Sequence, residues 1–301
     1  MIDENSEMSA VVIELRKGGF TIQHSEFIIY SVIFPTNLWP FMKPRTRLFV
    51  ILWLAGMAGI LSFLLVDLNA LINSLPLPEG EKRPEIPMWV IQILAVIQPG
   101  VLMTLAVLIG VWLAPKVGLH SPVAEAIAEH KPFLGALRRQ IIPAIITGLL
   151  SGMAIVACWL LVRPFLTPDF IARAEVFNVM MPAVTRFLYG GFTEEVLLRW
   201  GVMTLFVWVL WKVLGRRENA PRSTWFVIAI FASALLFGIG HLPIASALSG
   251  SLTLPLVIYV ITANSIFGIV AGFLYWKRGL ESAIIAHIFV HVVLIAAVSL
   301  L

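Results

Sequence analysis

Seven stretches of this chain are apolar over roughly the 20 residues that a helix needs to cross a bilayer. They are Leu48–Val66, Met88–Ala114, Ile141–Val162, Val179–Leu214, Trp225–Leu242, Leu254–Trp276 and Leu280–Leu301. Inside hydrocarbon the backbone has no water to bond, so each crossing is expected to be helical. The fold class that follows is all-α, a polytopic transmembrane helix bundle of about seven or eight spans. The candidate eighth, Phe27–Met42, is interrupted by Pro35 and Pro40 and suits an interfacial or re-entrant piece better. Composition agrees: 59% of the 301 residues are hydrophobic and 13% charged, with a mean hydropathy of +0.95. A soluble domain is about a quarter charged.

The net charge of +4 is informative through its placement. Lys and Arg gather at the ends of apolar runs, which suits a lipid bilayer as partner and speaks against nucleic acid. Lys43, Arg45 and Arg47 precede the first span, and Lys116, Lys131, Arg138 and Arg139 follow the second. Lys212, Arg216, Arg217 and Arg222 follow the fourth, and Lys277 and Arg278 the sixth. The alternate loops hold only Lys82, Arg83, Arg163 and Arg173, plus Arg186 if it is interfacial. The bias predicts a multi-pass protein of the cell membrane with its N-terminus in the cytoplasm. The acidic start of the chain lacks the basic region of a cleavable signal, so insertion is expected to rely on the first span. Cys158 is alone, and no internal disulfide can form.

On this pattern the chain divides into an N-terminal cytoplasmic or interfacial segment (1–47), N-terminal transmembrane helices (48–175) and a transmembrane core that carries the chemistry (176–301). The loop Glu79–Glu85 is expected to be a solvated external turn. Pro122, Ala124–Glu129 and Pro132 predict a short amphipathic helix serving as a surface connector.

The segment Gly191-Phe-Thr-Glu194-Glu195-Val-Leu-Leu-Arg199 sets two carboxylates and an arginine in an otherwise apolar run. Charges at that depth cost about 2.5 kcal/mol or more each unless paired or facing a wet cavity. Glu195 and Arg199 are i and i+4, share a helix face and can pair. Glu194 is turned about 100° away, on 3.6 residues per turn, and lacks that partner, which leaves it free for acid or base work. The span holding them is long for one crossing, and Gly190-Gly191 predicts a break or kink, followed by a new helix starting near Thr193. Arg186 could fold back across that break to pair with Glu194.

Three of the six histidines, His24, His120 and His130, fall in loops or the N-terminal region and are expected to be solvated. The others lie in spans. His241 ends Phe237-Gly-Ile-Gly-His241, and His287 and His291 are i and i+4 on one face of the last span. At 1.5 Å per residue, Glu194 lies about 27 Å from Lys212, His241 about 24 Å from Trp225 and His291 about 20 Å from Arg278. Similar depths allow a shared site. Gly268-x-x-x-Gly272 reads as a close-packing face between helices, without a chemical role.

Taken in order, Glu194-Glu195-x-x-x-Arg199, Phe237-x-x-x-His241 and His287-x-x-x-His291 resemble the motifs of the CPBP family. That family holds the CAAX prenyl endopeptidases and the Abi-type membrane proteins. The run Gly268-Ile-Val-Ala-Gly272-Phe-Leu-Tyr275 also resembles the family's approach to its last motif. The resemblance implies an intramembrane glutamic endopeptidase acting on a peptide or membrane-protein substrate, with no cofactor. It implies that Glu194 and His241 activate water and that His287 and His291 stabilise the oxyanion, with Glu195, Arg199 and Phe237 supporting. His291 stands where the family usually has Asn or Asp. Its imidazole opens a zinc alternative, in which Glu194, His241, His287 and His291 form a three-histidine, one-carboxylate set. A His-x-x-x-His pair without an interposed Glu is not a zincin motif, however. Two further readings are a non-catalytic scaffold or peptide-immunity protein of the same fold, and a proton-coupled transporter. The presence of Glu194, His241 and His287 together favours the enzyme.

Overall fold

A computed structural model describes residues 41–77, 86–216 and 218–300. Described residues are overwhelmingly helical, and none forms a strand. We number the helices α1 Pro44–Ser62, α2 Leu68–Ser74, α3 Met88–Val117, α4 Pro122–Ala128, α5 Leu134–Val162, α6 Pro168–Met180, α7 Ala183–Leu214, α8 Ser223–Gly240, α9 Leu242–Ser249, α10 Leu254–Arg278 and α11 Leu280–Leu300. Among the described residues seven helical stretches are long and apolar enough to cross a membrane, built on α1, α3, α5, α7, α8 with α9, α10 and α11. They coincide with the seven apolar runs of the sequence. The protein is a multi-pass membrane bundle. Most of Phe27–Met42 and all of Glu79–Glu85 lie outside the described residues, as does His24.

Helices that cannot gain from a hydrophobic drive inside lipid pack through small residues. Gly148 and Gly152 of α5 lie against Ala286 and Val293 of α11. Gly268 and Gly272 of α10 meet Ala234 and Ile230 of α8, the close-packing face read from the sequence. One buried core runs through these contacts, with Trp200 and Met203 of α7 against Met103 and Val107 of α3 and Phe267 and Tyr275 of α10 beside them. A smaller cluster of Leu166, Phe170, Ala245, Leu248, Leu256 and Val260 ties α6 to α9 and α10 at the end away from the basic loops.

The expected break at Gly190-Gly191 does not occur. Helix α7 runs unbroken from Ala183 to Leu214, but Arg186–Glu194 and Val196–Met203 are wound as π-helix, with Glu195 between them. Glycine is needed here for closeness: a Cβ on Gly190 would collide with the His291 ring, and one on Gly191 would press on Ile288. Thr193 Oγ1 donates to Gly56 O at 2.7 Å, and Thr185 Oγ1 to Ser62 O at 3.0 Å, clamping this wide helix to α1. At its far end Thr204 Oγ1 bonds Arg199 O at 3.2 Å and the Tyr275 hydroxyl at 2.9 Å. π turns are rare and concentrate at functional sites.

The expected connector helix is α4, and it is held more firmly than a surface connector requires. Glu281 Oε1 accepts from Ser121 Oγ, Val123 N and Ala124 N at 2.7, 2.9 and 3.0 Å. At the other end Arg47 Nη1 donates to Ala128 O at 2.9 Å. An anion thus meets the N-terminus and a cation the C-terminus, as the helix dipole favours.

Candidate active site

The seven candidate residues come from three helices and one helix junction, and five of them, Glu194, Phe237, His241, His287 and His291, line one cavity. Glu194, Glu195 and Arg199 come from the π-wound part of α7, Phe237 from α8, His241 from the α8–α9 junction, and His287 and His291 from α11. Arg199 and Glu195 are shut inside the bundle, at 1% and 0% exposure, and His287 is nearly so at 5%. Glu194 and His241 keep 17% and 31% and face the cavity.

Glu195 is the hub of the buried part. Its Oε2 lies 3.2 Å from Arg199 Nε, the i,i+4 pairing expected from the sequence, and its Oε1 takes the His287 Nδ1 bond at 2.8 Å. The arginine contact is ionic rather than a directed hydrogen bond, since neither Arg199 Nε nor Glu195 Oε2 is aligned for one. Arg199 Nη2 donates to Gly268 O at 3.2 Å, and the guanidinium lies over the Phe237 and Phe267 rings at 5.0 and 5.6 Å. Aromatic faces accept a cation, so two rings replace part of the lost hydration.

Glu194 is treated differently. Among the described residues it accepts no hydrogen bond, and its Oε1 and Oε2 lie 3.9 Å from His241 Nε2 and 3.7 Å from His287 Nε2. Arg186 does not pair with it; Nε and Nη2 of that arginine donate to Met181 O and Asn178 O instead. His241 Nδ1 meets Phe237 O at 2.8 Å. A carbonyl can only accept, so this nitrogen carries the proton and a neutral His241 turns the Nε2 lone pair toward Glu194. His291 stacks on His287 with centroids 5.0 Å apart and planes 8° off parallel, its Nδ1 buried without a partner.

The cavity measures about 950 Å³. Its walls are mainly apolar, with Leu197, Leu198, Leu236 and Phe267 among them, and Glu194, His241, His287 and His291 supply polar groups at one place. A few converging polar groups in an apolar cavity are the usual form of a binding site. Among the described residues no three His, Cys, Asp or Glu side chains are arranged to hold a metal ion. His120 and His130 lie by α4, away from the cavity, and His120 pairs with Glu125 at 3.2 Å, a hydrogen bond that raises its pKa.

Sequence reasoning missed three contributors. Asn264 lines the cavity and Thr193 fixes the neighbour of Glu194, yet both are single polar residues on apolar helices with no spacing signal. Glu281 starts the helix that carries His287; a carboxylate in a nearly uncharged span was the available clue. No curated protein and no solved structure matches the chain. Residues 176–293, the segment that carries every candidate site residue, match the family model described as type II CAAX prenyl endopeptidase Rce1-like.

Proposed function

We propose that this protein is a membrane-embedded endopeptidase in which Glu194 and His241 activate water against a peptide bond. The observation that carries the reading is the position of Glu194, unbonded at the wall of a large apolar cavity with an imidazole nitrogen near each oxygen. Separations of 3.7 and 3.9 Å are too long for direct hydrogen bonds but let one water touch both members of a pair. Such a water adds its oxygen to the substrate carbonyl carbon, passes a proton to Glu194, and pushes the carbonyl electrons onto oxygen. The tetrahedral species then collapses: the C–N bond breaks, and the amine leaves with the proton from Glu194.

The oxyanion needs a donor. His287 donates through Nδ1 to Glu195, so its Nε2 can donate only when the ring is doubly protonated. The Glu195 carboxylate stabilises that imidazolium, the role a buried acid plays behind a catalytic histidine. His291, stacked on His287, is the second donor in this scheme. Arg199 keeps Glu195 ionised and in place. Metal has no part in the reaction, and the substrate is a peptide or membrane protein whose scissile segment enters the cavity. The N-terminus faces the cytoplasm, in keeping with the basic ends of α3, α7 and α10.

The test is mass spectrometry of membrane peptides from cells carrying wild type, Glu194→Gln or His241→Ala. Cleavage products present only with wild type support the scheme, and products surviving both substitutions refute it. Cleavage by purified protein is expected to persist in EDTA; loss on chelation with rescue by zinc would move the reading to a metalloprotease.

A further inference from the structure

A second hollow of the bundle lies outside the hydrolytic scheme. It is a groove of about 420 Å³ between the start of α1 and the last turns of α3, lined by Arg45, Leu108, Ile109, Val111 and Trp112. Arg45 is its one charged group. Helix α1 has no acidic residue in its first turn, and among the described residues the Arg45 guanidinium makes neither a hydrogen bond nor an ion pair. Lys116 adds a second cation one turn beyond Trp112. Its Nζ stands 3.5 Å from the centre of the Trp112 ring, and it has no carboxylate partner among the described residues. The Trp112 ring is seated in turn against Trp208 of α7, with centroids 6.4 Å apart.

Depth matters as much as charge. Trp112 lies five residues before Val117, the last residue of α3, and Leu108 lies nine before it. At 1.5 Å per residue these positions are about 8 and 14 Å in from the helix end. Tryptophan settles at the level of the lipid headgroups, with hydrocarbon beneath it. The mouth of the groove, with Arg45 and Lys116, therefore meets headgroups, while Leu108 and Ile109 lie among acyl chains. Two unpaired cations above an apolar groove complement a molecule with an anion at one end and hydrocarbon below it. A zwitterionic lipid brings its own cation to the same mouth and gains less.

We propose that this groove is a binding site for an anionic phospholipid, its phosphate held by Arg45 and Lys116 and one acyl chain laid along Leu108, Ile109 and Trp112. The guanidinium offers the phosphate a fork of donors, and the lysine a point charge beside it. The proposal stands apart from the endopeptidase reading and does not need it. Ile109 lines the large cavity as well as the groove, so the bound lipid touches the wall of the space that Glu194 faces.

Full-length protein is placed in phosphatidylcholine nanodiscs that carry a rising share of phosphatidylglycerol or phosphatidylcholine brominated on its acyl chains. Bromine quenches a tryptophan that it touches, and the emission lost in Trp112→Phe is the part that belongs to Trp112. Each basic side chain at a membrane surface raises anionic-lipid affinity about fivefold, so two of them give wild type an expected preference for phosphatidylglycerol of about twentyfold. Arg45→Gln lowers the preference about fivefold, and Arg45→Gln combined with Lys116→Gln brings it near one. Each preference compares two lipids on one variant, so a less stable variant still reports. Arg139→Gln removes an exposed cation of α5 that is not part of the groove, and leaves the preference unchanged. Equal quenching by the two lipids in wild type overturns the proposal and makes the groove ordinary lipid-facing surface. A preference that survives the double substitution, or that Arg139→Gln lowers as much as Arg45→Gln, overturns it in favour of diffuse charge. Quenching by neither lipid also overturns it, because the groove is then covered by protein, such as a second copy of this chain.

Discussion

Glu194 and Glu281 are two carboxylates set into the same bundle, and their surroundings are opposite. Glu281 has both oxygens engaged: Oε1 by a hydroxyl and two main-chain amides, and Oε2 by Gln140 Nε2 at 3.3 Å. Glu194 accepts nothing within hydrogen-bond distance and faces two imidazole nitrogens across the cavity wall. A carboxylate with every lone pair used holds a structure together. One whose neighbours stop short can still take a proton from something that comes between. The difference lies in the supply of neutral donors.

The contrast predicts that the two positions fail in different assays. Glu194→Gln should lower cleavage by about 10²–10⁴, the range for losing a general base, while leaving the thermal midpoint within about a degree or two. A matching loss of stability would make Glu194 a structural residue as well. Arg199→Ala should come next, destabilising by about 3–5 kcal/mol in reversible unfolding, because Glu195 is then buried beside His287 alone. Less than about 1 kcal/mol would mean that the ionic contact with Glu195 is not what holds the hub. Glu281→Gln should cost about 1–3 kcal/mol and lower cleavage mainly through the folded fraction, as expected for lost charge-assisted bonds. If cleavage per folded molecule falls tenfold instead, the α4 knot sets the position of His287. Thr193→Val is the smallest change, about 1 kcal/mol for one buried hydroxyl bond to α1. Its activity relative to Glu281→Gln shows whether α1 or α4 does more to place the site.

Much of the bundle was legible because hydrocarbon enforces long apolar runs; each of the seven runs holds a spanning helical stretch whose ends lie within seven residues of those expected. The i,i+4 relation of Glu195 and Arg199 was legible for the same reason, since local spacing fixes it. So was the Gly268–Gly272 face. The winding of α7 was not. Gly190 and Gly191 signalled something unusual, but the same pair serves a break or a close approach, and only the distant His291 and Ile288 decide between them. Contacts across long separations were equally silent: Glu281 meets Ser121 across 160 residues, and Thr193 meets Gly56 across 137. The sequence marked Arg186 as a charge out of place, while its true partners are carbonyls, which every residue has and no residue type announces.

The π winding of α7 has a consequence for how this chain can change length. Each π turn carries a residue more than the α turn it replaces, so deleting one residue between Arg186 and Met203 would let the backbone relax into ordinary α-helix with its hydrogen bonds intact. The helix would survive such a deletion. Side chains between the lost residue and the turn that relaxes would shift by about 100°, separating Glu194 from its imidazoles or Arg199 from Glu195 according to where the residue was lost. For this helix, then, residue number is a stricter inheritance than helicity: an insertion or deletion here spares the membrane span and dismantles the site.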